Sequence, residues 1–222
     1  TCLNELETWS KRKLDHLPLV IWLEMKWGHR GYEVAALTDL AETLNSAVDA
    51  KRLVSPEDFM ASYLDPQSRI RADGWPTLAE VRGKFFFVIL NSGAFELVVQ
   101  SKEIDPLTFP AFFSAGPDEA GWTPGWAAFR KYGDPGSAAL IRAAQKEGIM
   151  VASNICEAHL EEEICFDRLR QGLTNGVHML KDDFPKAVQD RDYYLTLLND
   201  TIAACNSQTA TDLCSPELLE QP

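Results

Sequence analysis

Positive charge is scarce in this chain: 21 Lys and Arg stand against 33 Asp and Glu, a formal net charge of −12. Nucleic-acid binding needs a basic face, so this balance argues against a nucleic-acid partner. The same sign opposes long-range attraction to an anionic membrane. An anionic substrate would need a local cation, either a bound metal or a lysine turned into a pocket. Long apolar runs are also missing. The longest, residues 17–23, contains Pro18 and has the length of a strand, whereas a membrane span takes roughly 18 apolar residues. The chain opens on Thr1 with no signal-peptide pattern. No cysteines are spaced C-x-x-C and no histidines H-x-x-x-H, which removes the usual short zinc and dithiol motifs. There is no G-x-S-x-G elbow, no glycine-rich phosphate loop and no dinucleotide fingerprint.

The cysteines that are present number five: Cys2, Cys156, Cys165, Cys205 and Cys214. Cys205 and Cys214 bracket a polar loop with little else to hold it, and a bridge between them is expected to pin the tail. Cys156 and Cys165 form a weaker second pair, because a helix between them would keep their Cα atoms apart. Cys2 is then left over, which in a secreted protein suggests a partner elsewhere. Asn199-Asp200-Thr201 is an N-glycosylation sequon, and with paired cysteines it points to an extracellular setting. Five reduced cysteines in a cytosolic chain is the other reading.

Hydrophobic periodicity predicts helices at 2–13 and 33–48. Ser55 followed by Pro56 reads as a helix start, and Thr77–Arg82 as a short helix closed by Gly83. Further helices are expected from Asp134-Pro135 to about Glu147, over 157–171, and over about 186–199. Between them lie strand-sized apolar runs at 19–25, 85–90, 109–113, 149–153 and 176–180. Short buried strands alternating with helices are the pattern of parallel strands joined by helical crossovers. The length, 222 residues, suits one α/β barrel domain, which runs to roughly 250. Residues 1–200 are assigned to the barrel and 201–222 to a tail. Five strands do not close an eight-stranded barrel, so the expectation is an open sheet or a barrel with strands before residue 1.

Active sites in such folds sit beyond the carboxyl ends of the strands. The first predicted strand ends in Glu24-Met25-Lys26, and alternation sends Glu24 and Lys26 to the same side. They can bind a cation and a phosphate, or simply pair with each other. The second ends at Asn91, a candidate substrate contact or a plain turn residue. The last ends in Asp182-Asp183, a hard-cation ligand pair or the cap of a following helix. His16, His29, His159 and His178 are scattered. His178, inside an apolar run, reads as a hydrogen-bonded interior residue.

Three blocks together carry a family resemblance. Residues 1–28, TCLNELETWSKRKLDHLPLVIWLEMKWG, contain a cysteine-bearing helix ending in Trp-Ser, then His-x-Pro, then a strand ending Leu-Glu-x-Lys. Residues 75–91, WPTLAEVRGKFFFVILN, and 175–185, NGVHMLKDDFP, follow in order. The chain resembles the calcium-dependent, phosphatidylinositol-specific phospholipase C-like phosphodiesterases. The resemblance implies the C-terminal portion, strands 4–8, of a TIM-type (β/α) barrel. It implies phosphoric diester hydrolysis of phosphoinositide or glycerophosphodiester substrates, with calcium as cofactor and Glu24 as its ligand. Lys26, Asn91 and Asp183 become phosphate or substrate contacts. In that family two histidines act as general base and general acid while the inositol 2-hydroxyl attacks phosphorus and calcium stabilises the charge. The resemblance places those histidines, and a partner for Cys2, in a segment before residue 1, so the chain alone is expected to be inactive. Where the family carries arginines after its seventh strand, this chain has Val151-Ala152-Ser153-Asn154, a loss of phosphate clamps. That departure supports the alternative of a non-catalytic secreted binding module with a degraded site.

Overall fold

The computed structural model describes residues 2–25, 34–90, 102–115, 124–197, 201–215, 217 and 219. The chain divides into two compact units, Thr1–Phe129 and Arg130–Pro222.

In the first unit, helix α1 (Cys2–Arg12) precedes strand β1 (Leu19–Leu23), and α2 (Val34–Ala47) follows. A single 3-10 turn (Ala50–Arg52) leads to α3 (Pro56–Met60), α4 (Pro66–Asp73) and α5 (Leu78–Val81). Strands β2 (Phe85–Ile89) and β3 (Phe112–Ala115) complete it. The helix starts are chemically specified. The Ser55 side chain accepts from Asp58 N at 3.1 Å, and Asp65 Oδ1 from Ser68 N at 2.6 Å. At α5, Thr77 and Glu80 form a reciprocal capping box.

β1, β2 and β3 are parallel neighbours in chain order, with Leu19 opposite Phe85 and Val88 opposite Phe112. All five residues of β2 are buried, as expected of a strand covered on both faces. On one face Phe85, Phe87, Ile89 and Phe113 join Leu37 and Leu44 of α2. On the other, Phe86, Phe112 and Phe129 meet edge to face or stacked, and Trp22 reaches Phe129 at 6.1 Å between centroids. Phe59 and Trp75 extend that aromatic cluster.

Gly83 turns the chain from α5 into β2 with φ at +70°, and a Cβ there would sit 2.1 Å from Leu14 O. Its carbonyl accepts two bonds from Arg52, at 3.2 and 3.1 Å, while Arg52 also pairs with the buried Glu7 of α1 at 3.2 Å. One arginine thus ties α1 to the approach of β2.

In the second unit, β4 (Phe129–Tyr132, whose first residue closes the first unit), β5 (Met150–Cys156) and β6 (Met179–Asp182) follow in chain order. Helix α6 (Ala138–Lys146) lies between β4 and β5, and α7 (Glu162–Thr174) between β5 and β6. β5 and β6 are parallel, with a register shift between Asn154 and Cys156.

The structure corrects the sequence reading in several places. A sixth strand, β4, appears at 129–132; its sequence FRKY carries two cations, which broke the apolar run. Arg130 is nevertheless buried and donates to Tyr132 Oη at 3.2 Å. Helix α6 starts at Ala138 rather than Pro135, because Asp134 closes a turn by accepting from Gly136 N at 2.8 Å. Helix α7 starts at Glu162 rather than 157. That late start lets the chain fold back, so Cys156 and Cys165 are bridged with Cα atoms 4.8 Å apart, against the expectation that a helix would separate them. No helix forms over the described part of 186–199. Asp190 has φ at +62°, Val188 bridges Arg191, and Leu195 N returns to Phe184 O at 2.7 Å.

Cys205 and Cys214 are bridged as expected, and Cys2 is free and exposed. The tail loop is also held by side chains. Asn206 Nδ2 donates to Gly176 O at 2.7 Å and Ser207 Oγ to Leu173 O at 2.7 Å. His178, one residue before β6, accepts from Val151 N at Nδ1, 3.0 Å, and its Nε2 lies 3.2 Å from Thr209 Oγ1.

The neutral imidazole is required by that pattern, since protonated Nδ1 could not accept from Val151. Burial lowers the His178 pKa to about 4, below the ordinary value of 6.5. Its contribution to stability is complete above about pH 6.5 and is lost as pH falls towards 4, up to about 3 kcal/mol. Urea denaturation across this range is expected to show that loss, and His178→Asn, which keeps an acceptor but cannot titrate, to flatten it. An equal slope in wild type and variant would remove His178 as the cause.

Candidate functional site

Parallel pairing puts the carboxyl ends of β1, β2 and β3 on one edge of the first unit, and those of β5 and β6 on one edge of the second. At the first edge stands Glu24, one residue past β1, with its side chain exposed. Leu19, Ile21 and Leu23 pack on the helix-facing core, so alternation puts Glu24 in line with Trp22, on the aromatic face. Immediately before Glu24, Leu23 O accepts from Leu90 N at 2.9 Å. Lys26 and Asn91, the other two candidates from these strand ends, lie outside the described residues, as do His29 and the first two residues of the sequon.

Asp183 stands one residue past β6, at the carboxyl edge of the second unit. Its Oδ2 accepts from Ala158 N at 3.0 Å and its own N–H donates to Cys156 O at 3.1 Å. Lys181 Nζ is 3.9 Å from Oδ1. The carboxylate therefore holds the loop between β5 and α7. Glu24 and Asp183 belong to different units, each placed within its own.

The neighbouring acid, Asp182, does something else. Its Oδ1 accepts from Phe184 N at 2.7 Å and its Oδ2 from the hydroxyl of the fully buried Tyr193 at 2.5 Å. Burial raises the Asp182 carboxyl above the usual carboxylate range, against the opposing pull of these bonds. Burial, with Asp182 alongside, pushes the Tyr193 phenol upward as well, so the hydroxyl stays a donor. Arg191 completes the group. Nη2 donates to Leu160 O at 3.0 Å and lies 3.2 and 3.4 Å from the sulfurs of Cys156 and Cys165. Its guanidinium sits 4.1 Å above the Phe184 ring. Sequence reasoning missed this network. Arg191 and Tyr193 fall in a segment with helix-like composition, and only the alternation Arg-x-Tyr hinted at one shared face.

The described histidines do not gather. His16 precedes β1, bonds the Ser10 hydroxyl and has Nδ1 2.5 Å from Leu17 O. His178 precedes β6. His159, expected in a helix, lies instead on the exposed loop after β5, beside the capped Ala158. It is the one described histidine at a carboxyl strand end. On β5 itself the Asn154 side chain leaves Oδ1 buried without a partner, and Ser153 Oγ donates to Tyr132 O at 2.9 Å.

Calcium takes about 6–8 oxygen ligands. Among the described residues no group of three or more His, Cys, Asp or Glu side chains converges on one point. The described residues therefore do not by themselves form a complete calcium site.

Solved structures share the fold. A Ca2+-dependent phosphatidylinositol-specific phospholipase C from Streptomyces antibioticus aligns with a TM-score of 0.60 at 17% identity, covering 81% of this chain and 68% of that one. A calcium-dependent phosphoinositol-specific phospholipase C from a Gram-negative Pseudomonas sp. aligns in three structures. Its myoinositol-complex study gives a TM-score of 0.56 at 18% identity, covering 82% and 64%. A second crystal form of the apo enzyme gives 0.58 at 19%, covering 82% and 63%. This chain thus spans under two thirds of the Pseudomonas chains. No curated protein sequence matches it. The family model described as "Phosphoinositide phospholipase C, Ca2+-dependent" matches residues 1–207, and the chain, an α/β (β/α) barrel portion, belongs to that family.

Proposed function

We propose that the protein is a secreted phosphoric diester hydrolase acting on phosphoinositide or glycerophosphodiester substrates with calcium. The observation that carries this reading is Glu24, an exposed carboxylate one residue beyond a half-buried parallel strand, at the barrel edge where such chemistry is done. Glu24 is the proposed calcium ligand, with Lys26, Asn91 and Asp183 as phosphate or substrate contacts. Calcium, when bound, supplies positive charge next to the phosphoryl oxygens. Glu24 gives it one carboxylate, and the remaining oxygens come from water, substrate or residues other than those described. Two disulfides are compatible with an extracellular setting, and no described helix is long and apolar enough to cross a membrane.

The 222-residue chain by itself is proposed to be inactive. Acid–base catalysis at phosphorus needs a proton acceptor and a donor on opposite sides of the reacting atom. His16 and His178 sit at the starting ends of their strands and are engaged there, which leaves His159 alone among the described histidines. A second reading, a non-catalytic binding module with a degraded site, is favoured by one feature. Ser153 and Asn154 on β5 are short and neutral, so they cannot clamp a phosphate as arginine does.

Inositol phosphate release from phosphatidylinositol, with and without chelator, separates these readings. The 222-residue chain is expected to release none, and turnover by it would place acid and base within it. In a longer form carrying upstream sequence, calcium-dependent release is expected, and Glu24→Gln should lower it at least tenfold. Calorimetric calcium titration gives a readout independent of turnover, with affinity expected to fall in Glu24→Gln. A longer form that binds phosphoinositide without cleaving it would support the binding module instead.

Asp183→Ala separates structural from substrate roles. It removes the acceptor for Ala158 N and is expected to cost about 1 kcal/mol in urea denaturation, with faster hydrogen exchange at Ala158. Asp183→Asn keeps an acceptor and should restore the exchange rate. If Asp183→Asn also restores substrate affinity in the longer form, Asp183 serves the loop and not the substrate.

A further inference from the structure

A cleft of about 350 Å³ opens at the amino end of β2. Its floor is apolar: Leu53, Val54, Phe59 and Val81, all buried. Val54 N donates to Phe85 O at 2.9 Å and Leu53 bridges Phe85, so the floor is welded to the start of the strand. Lys51, Arg69 and Lys84 stand around it. Among the described residues none of these three cationic ends is closed into an ion pair or side-chain hydrogen bond. The Arg69 guanidinium is held against the Phe59 ring, 4.9 Å from its centroid, which orients its donors without using them.

Two acids also line the cleft, and both are occupied. Glu80 Oε2 accepts from Thr77 N and Oγ1, each at 2.7 Å, and Asp58 Oδ2 from Ser55 Oγ at 2.7 Å. The Thr77 bonds, and then the charges of Arg69 and Lys84, hold the Glu80 carboxyl below its ordinary range. Three cations against two acids give a local positive excess in a protein whose net charge is −12. The volume lies at the lower end of small-molecule pockets, roughly 300–1,000 Å³.

We propose that this cleft is a second ligand site, for a small molecule that carries a phosphate group on an apolar body. The phosphate would meet Lys51, Arg69 and Lys84 at the rim, and the apolar part would cover Phe59 and Val81. The site is separate from the candidate catalytic edge. β1 and β2 are parallel and in register over five residues, so Glu24 lies at the opposite end of the same strip, about 16 Å of strand away.

Phenyl phosphate is the probe, titrated without calcium and followed by amide chemical shifts. Saturable shifts are expected at Leu53, Val54, Val81 and Lys84. Inorganic phosphate, which lacks the apolar body, is expected to bind at least tenfold more weakly, and so is benzyl alcohol, which lacks the charge. The double variant Lys51→Met, Lys84→Met should weaken phenyl phosphate at least tenfold at an unchanged thermal midpoint, while Lys51→Arg should bind as wild type does. If the double variant does not fold, Lys51→Glu alone reverses an exposed charge and should weaken binding at least threefold. The proposal is overturned by absence of saturable shifts, by shifts confined to the Glu24 end, by equal affinity for benzyl alcohol, or by unchanged affinity in both charge variants. Binding to phosphatidylglycerol vesicles without any response to phenyl phosphate would also overturn it, because it would mark a lipid surface and not a small-molecule cleft.

Discussion

Burial of β2 on both faces is the constraint from which the first unit follows. Phe85, Phe87 and Ile89 can be dry only if helices cover one face, and Phe86 and Val88 only if aromatic rings fill the other. Burial also denies the strand water, so its backbone groups must be paired along both edges, by β1 and β3. Register is then strongly specified. A slip of one residue would exchange the faces and send Trp22 toward the helices and Leu23 toward the aromatic cluster. Because Leu23 is held opposite Ile89, both strands end together and Glu24 is the first residue beyond. The position of the carboxylate is thus a consequence of apolar packing.

What was legible in the sequence follows from how local the determining forces are. β2 could be read because an unbroken apolar run of strand length has few other uses. Ser55 and Thr77 could be read because a cap acts over three residues. β4 could not, because its two cations interrupt the apolar run, and the burial of Arg130 depends on side-chain contacts, such as Tyr132 Oη, that local composition does not announce. The expected final helix failed for the same reason. Arg191 and Tyr193 are drawn inward by Leu160 and Asp182, and local propensity yields to those contacts. The strand ends were legible to within two or three residues, but the partners of their acids were not.

The two adjacent acids after β6 illustrate this. Neighbouring residues at a strand end point in opposite directions, so Asp182 and Asp183 could not share one task. Asp182 turns to Tyr193 and the backbone of Phe184, and Asp183 turns to Ala158. Each satisfies a different loop, one after β6 and one after β5. The Cys156–Cys165 bridge and Arg191 lie between those loops, so a change in either is felt by both. The loops at the carboxyl edge of the second unit are therefore cross-braced, which is what a strand-end site requires of its supporting loops.

Cations are few in this chain, and their uses divide sharply. Arg52 neutralises buried Glu7 and holds Gly83, Arg191 braces the disulfide loop, and Arg168 donates to Gly133 O at 3.2 Å with Glu157 4.0 Å away. Each is spent on a carbonyl or carboxylate within the fold. Lys51, Arg69 and Lys84 answer no such need. An excess of acids offers every surface cation a potential partner, so three cations around one apolar floor with no ion pair among the described residues are not the default outcome of an acidic composition. Surface ion pairs are worth only about 0–1 kcal/mol, so their absence costs the fold little. The same three charges converging on one anion act together, and a phosphate gains from all of them at once. Fold stability is thus nearly indifferent to this arrangement, while anion binding is sensitive to it.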